Sequence, residues 1–264
     1  MVDQGQLAKA RAGLPSAGQV SELVADLLAS MPGEAALGPA TAAACVGPLI
    51  DAVEEPIGDD DLQLALYLCY EQHYRSFPSI HLAWECDPTL LTVQALLETA
   101  FFGSLDAEIP AVGVAPEAVG AAISRLHAAD SGSRLWRRLE LTPSLDELRE
   151  LAAHLSLHHL KGADPHSWAI PRLGGAAKRR LLEVQASRYG CGQSEQMHSQ
   201  LFTRTMRALG LDERENAYLD HAPGPTLATV NLMSGLGLHR SRRGALVGHL
   251  AMFQIAAAQP TRRY

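Results

Sequence analysis

The chain has 264 residues, 47% hydrophobic and 19% charged, with a formal net charge of −7. That apolar fraction supports a packed core and excludes global disorder, while 22 Lys+Arg against 29 Asp+Glu exclude a broad basic face for nucleic acid. Aromatic residues are scarce at 5%, and Ala and Leu contribute about 40 residues each, a bias towards helix over strand.

Residues 1–17 are polar with Gly and Pro and read as a loose tail without the pattern of a signal peptide. Helical periodicity follows over 20–30, then a Pro/Gly breaker, then an Ala-rich helix over 41–53. The acidic stretch 54–61 reads as a solvated loop and N-cap feeding a helix over 62–77, where Leu62, Leu66, Cys69, Tyr70 and Tyr74 keep helical spacing. Asp87 and Pro88 start the next helix, to about 105. A Pro/Gly loop precedes a helix over 117–128, and Asp130-Ser-Gly-Ser133 breaks the chain again. Ser144 and Glu147 form a capping box for a helix reaching about Lys161.

Further helices are expected over 176–189, 195–209 (capped by Ser194), 225–235 and 243–258. No strand-period segment of useful length occurs, so the fold class is all-α. Residues 1–60 form an N-terminal helical region with an acidic loop and 61–264 a helical bundle, one domain overall. No run of about 18 apolar residues occurs, which excludes a membrane-spanning helix. The four dispersed cysteines make no CxxC pair and read as free thiols. A soluble, cytoplasmic protein is the expectation, with no nucleic-acid or membrane partner.

The histidines carry the candidate chemistry. His154, His158, His159 and His166 cluster near Asp164, and two imidazoles one helical turn apart can share a metal. On a helical wheel, Leu148, Leu151 and Leu155 set the buried arc instead, which makes these surface histidines. His198 falls in the middle of the apolar face formed by Met197, Leu201, Phe202, Thr205 and Leu209. Arg188 falls inside the apolar arc of Leu181, Leu182, Val184 and Tyr189, with Glu183 pointing the opposite way. A buried arginine needs an acidic partner or a route to water, and beside His198 it would disfavour a metal.

The run His159-Leu-Lys-Gly-Ala-Asp-Pro-His-Ser-Trp-Ala-Ile-Pro-Arg-Leu-Gly-Gly175 is distinctive. So are Leu182-Glu-Val-Gln-Ala, Met197-His198-Ser-Gln-Leu-Phe202, the stretch 62–75, Trp84-Glu85, Asn231-Leu-Met-Ser234, Gly237-Leu-His-Arg240 and the stretch 243–250. Together they resemble the iron-containing redox enzyme family, the haem-oxygenase-like diiron oxidases and oxygenases. The resemblance implies an all-α haem-oxygenase-like bundle. It also implies non-haem iron that activates dioxygen on a small amino- or fatty-acid-like substrate, held by carboxylates and imidazoles.

Residue by residue, the first family glutamate directly precedes Ala-Asp-Pro-His, where this chain has Gly162. The second lies ten residues before the Met-His histidine, where this chain has Arg188. His198 is the one retained ligand position. The last ligand motif does not occur before Tyr264, so the resemblance implies a bundle lacking its last core helix. His166 and Glu183 are possible secondary ligands, and Glu71, His73 and Arg75 form a candidate buried polar network supporting the site. No catalytic group is singled out.

Two readings follow. In one, the chain is a family member impaired at its metal site, with iron weakly bound or absent. It would then act as a binding or scaffold subunit, with a homo- or hetero-oligomeric partner. In the other it is an active non-haem iron oxidoreductase on a small-molecule substrate. The ligand losses favour the first. A haem-binding role stands third, since no histidine is marked out as a proximal ligand.

Overall fold

The computed structural model describes residues 14–33, 37–109, 113–129 and 143–257. The expected break at 130–133, most of the N-terminal tail and the terminal residues 258–264 lie outside the described residues. Among the described residues every regular element is helical, so the all-α expectation holds. None of these helices is long and apolar enough to cross a membrane. The chain divides into two compact units, Met1–Pro110 with Tyr218–Gly235, and Ala111–Ala217 with Leu236–Tyr264. The 60/61 position falls inside the first unit.

In the first unit α1 (Gln19–Ala29) packs against α3 (Asp60–Glu71), and α2 (Pro39–Asp51) against α4 (Pro88–Glu108). Helix α3 is buried on all sides from Leu62 to Glu71, which is why its pattern is an almost unbroken apolar run. It ends about six residues earlier than its periodicity predicts. After Glu71 the chain turns, and Ser76, at φ 57°, donates its N–H back to the Glu71 carbonyl at 3.0 Å. Asp87 and Pro88 open α4 as expected, with Asp87 accepting from Thr89 N–H at 2.8 Å.

The acidic stretch is not a solvated loop at its C-terminal end. Asp59 caps its own helix by accepting from Leu62 N–H at 2.7 Å. Asp61 reaches to the start of α1, accepting from Val20 N–H at 2.8 Å and Ser21 N–H at 2.7 Å. Asp60 accepts from Gly224 N–H at 2.5 Å, at the first residue of α10 (Gly224–Leu238). Successive carboxylates thus satisfy the orphan amides of three helix starts, where the helix dipole also favours negative charge.

The second unit contains α5 (Val119–Ala129), α6 (Leu145–His159), the short α7 (Asp164–Ser167), α8 (Gly175–Arg188), α9 (His198–Ala208) and α11 (Arg243–Ala257). The Ser144/Glu147 capping box of α6 is present, with Glu147 N–H donating to Ser144 Oγ at 3.2 Å. Helix α9 begins at His198, not at 195. Ser194 opens a single 3-10 turn, and Met197 precedes the helix without a side-chain cap. Helix α6 packs on α9, and α11 on α5 and α7. Arg172 tethers this unit by donating to the carbonyls of Gly237 and, at 2.7 Å, Leu238.

Candidate functional site

Two glycines shape the site. Gly162 closes α6 at φ 59°, donating its N–H to His158 O and His159 O, both at 3.1 Å. That left-handed conformation favours glycine and turns the Gly162 carbonyl towards α8. Gly190, at φ 75°, sits where a Cβ would come within 2.8 Å of Met197 N, so only glycine lets the α8–α9 connection close this tightly.

Arg188, in the last turn of α8, is buried, as its place on the wheel predicts. The buried line of that helix is Leu181, Gln185 and Arg188, at i, i+4 and i+7. Leu182 and Val184 stay exposed, so the arc is more polar than expected. The guanidinium donates from Nη2 to Gly162 O at 2.8 Å and from Nη1 to His166 Nδ1 at 3.0 Å. The two positions where the resemblance puts iron-binding glutamates are therefore neighbours, and the arginine side chain spans from one to the other.

These contacts fix the proton positions. A guanidinium only donates, so His166 Nδ1 must be an acceptor and the neutral ring carries its proton on Nε2. His166 is fully buried, and burial first, then Arg188 and His249, hold its pKa down at about 3. Its Nε2–H donates to His249 Nδ1 at 3.2 Å, with the two rings stacked. His249 is itself shifted down, by desolvation and then by Arg188, so its remaining proton lies on Nε2. The result is a directed chain, Arg188 to His166 to His249, that uses up the basic lone pair of both imidazoles.

A wider ring of neutral histidines surrounds the chain. His158 packs edge-on against Phe253, and His159 stacks on Phe202. Burial is the main cause that lowers both: His158 well below the ordinary range, His159 to about 4 with help from Arg188 and His198. The surface placement of these residues is overturned for His158, which is buried. The buried residues of α6 are Ala152, Ser156, Leu157 and His158, while Leu148, Leu151 and Leu155 are half-covered. Small residues let the helix approach its neighbours closely there, so apolarity alone set the arc wrongly. His154 stays half-buried.

His198 is also placed differently from its periodicity. The inward line of α9 is Ser199, Phe202, Thr203 and Met206, one residue round, and His198 is exposed as the first residue of the helix. It still feels the cluster, since partial desolvation and then Arg188 lower its pKa. Glu183 lies on the exposed face, bonded to Arg179 at 2.5 Å and Arg180 at 2.9 Å, and does not join the cluster. Asp164 is no simple turn former: it accepts the Tyr189 hydroxyl at 2.7 Å, and Tyr189 also bonds Ser167 at 2.8 Å. Trp168 is half-buried beneath the Arg172 guanidinium.

Glu71, His73 and Arg75 belong to the first unit, and only in part form a buried network. Glu71 is buried, and His73 bonds Gln94 at 3.0 Å, which in turn donates to Glu98 at 3.0 Å. Arg75 is exposed, because the helix that would have turned it inward has already ended.

His249 is the residue that sequence reasoning missed. It lies within the stretch 243–250, and Leu246 and Leu250, both buried, set an inward face on which it sits at i+3. That spacing was available in the sequence. Helices α8 and α11 also border an apolar groove of about 760 Å³, lined by Leu181, Val184, Val247, Leu250 and Ala251 with Arg180 and Arg243. Gln254 lines the same groove.

Non-haem iron does not fit this residue set. Carboxylates that would neutralise the metal are absent from the Arg188–His166–His249 chain, whose imidazole lone pairs are already used and whose fixed charge is positive. Among the described residues, no group of three or more His, Cys, Asp or Glu is arranged to hold a metal ion.

Residues 149–264 match the family model described as iron-containing redox enzyme. This C-terminal part of the chain is therefore similar to the iron-containing redox enzyme family, in line with its motifs. The motifs at 62–75 and 84–85 lie outside the matched segment. No curated protein matches the chain.

Proposed function

We propose that this chain is a catalytically impaired member of the iron-containing redox enzyme family, with an arginine–histidine network in place of its metal site, and that it acts as a binding or scaffold subunit. One observation carries the reading: Arg188 is buried and bonded to both Gly162 and His166. A cation locked there opposes Fe(II) by charge and by occupancy. A binding role also draws support from the open groove between α8 and α11, with its apolar floor and arginine rim.

The competing reading, an active non-haem iron oxidoreductase on a small amino- or fatty-acid-like substrate, draws on the family match and on the retained His198. Anaerobic addition of Fe(II), desalting and exposure to oxygen separate the two. The expected result is a featureless visible spectrum and no oxygen uptake above buffer. A transient visible band tied to oxygen consumption would establish the competing reading.

A further inference from the structure

Arg188 is a buried cation whose two hydrogen bonds both go to neutral acceptors. It is 5% exposed, and its Nε–H, buried as well, has no partner. A guanidinium carries five N–H donors, so one hydrogen on each Nη is also left over once Gly162 and His166 are served. Asp164 acts on the arginine through charge, but its carboxylate accepts from the Tyr189 hydroxyl. Nearby, Nδ1 of the buried His158 has no partner either.

Unpaired buried charge is among the least favourable features a fold can carry, and spare donors around a fixed cation invite an anion. We propose that this cationic network is a binding site for a small monocarboxylate of the formate or acetate class, an inference that rests on the impaired-site reading proposed above. A planar carboxylate accepts two parallel N–H bonds from one guanidinium and brings the single negative charge that neutralises it. A dianion such as phosphate would carry excess charge into the same dry surroundings. The buried setting of Arg188 and His166 restricts the ligand to small molecules.

The test is titration of the full chain, labelled with ¹⁵N-arginine, with sodium acetate, formate, phosphate and chloride at constant ionic strength. The Arg188 Nε–H resonance is followed, assigned in the wild-type chain by its through-space contacts to the His166 ring. The expected result is a saturable shift with acetate and formate and none with chloride. In Arg188→Lys, which keeps the charge without the planar fork, calorimetric acetate affinity is expected to fall about tenfold or more. The wild-type titration stands even if that variant fails to fold.

A shift no different from that with chloride overturns the site, and phosphate binding at least as tightly as acetate overturns the carboxylate class. Iron is counted in the same preparation. An iron-free chain that ignores acetate refutes only this inference, whereas a chain that holds iron refutes the impaired-site reading and this inference with it.

Discussion

Burial lowers the pKa of His158, His159, His166, His198 and His249, and the charge of Arg188 adds to the shift at each of them. Replacing Arg188 with methionine is expected to raise the His198 pKa back towards the ordinary imidazole value, read from the His198 ring proton by NMR. An unchanged titration would mean that partial desolvation alone accounts for the shift. At Gly162, alanine must adopt φ 59°, and the expected cost is about 1 kcal/mol in chemical denaturation. The inward place of Arg188 was legible from its helical register with Leu181. Its partners were not, because a local pattern carries no information on which carbonyl or imidazole lies across the gap.

At the scale of elements, helix existence was legible almost throughout, and helix ends and faces less so. Proline and capping signals located α4 and α6, where Asp87 and Ser144 do what their positions predict. Helix α3 shows the limit: its apolar spacing continues past Glu71, yet the chain turns, because the return bond from Ser76 N–H competes with helix continuation. Helices α6 and α9 were misread in rotation by about one position, for one shared reason. Their inward lines include Ala152, Ser156 and Ser199, small side chains that weigh less in an apolar pattern than the leucines beside them.

Asp61 was taken for a solvated residue and instead anchors the start of α1. Asp61→Ala is expected to destabilise the chain by about 1–2 kcal/mol, measured as a lower urea midpoint. A cost near zero would show that water replaces the carboxylate at those amides.

For the whole molecule, the buried neutral histidines link folding to pH. His159 and His166 titrate at about 4 and about 3 in the folded chain, against 6.5 when exposed. Below pH 6.5 the unfolded chain binds the extra protons. The stability these residues contribute is therefore complete above that pH and is lost as pH falls towards 4 and then 3. The slope is expected to approach about 1.4 kcal/mol per pH unit for each such histidine below pH 6.5, read from urea midpoints down to about pH 5. A flat profile would place these rings in water. Residues 149–264 are similar to the iron-containing redox enzyme family, while Gly162, Arg188 and the histidine chain set the chemistry of the site. The most direct test of that account is the iron retained per chain after anaerobic Fe(II) loading and desalting. Iron at the level of a buffer control is the expected result, and stoichiometric retained iron would contradict it.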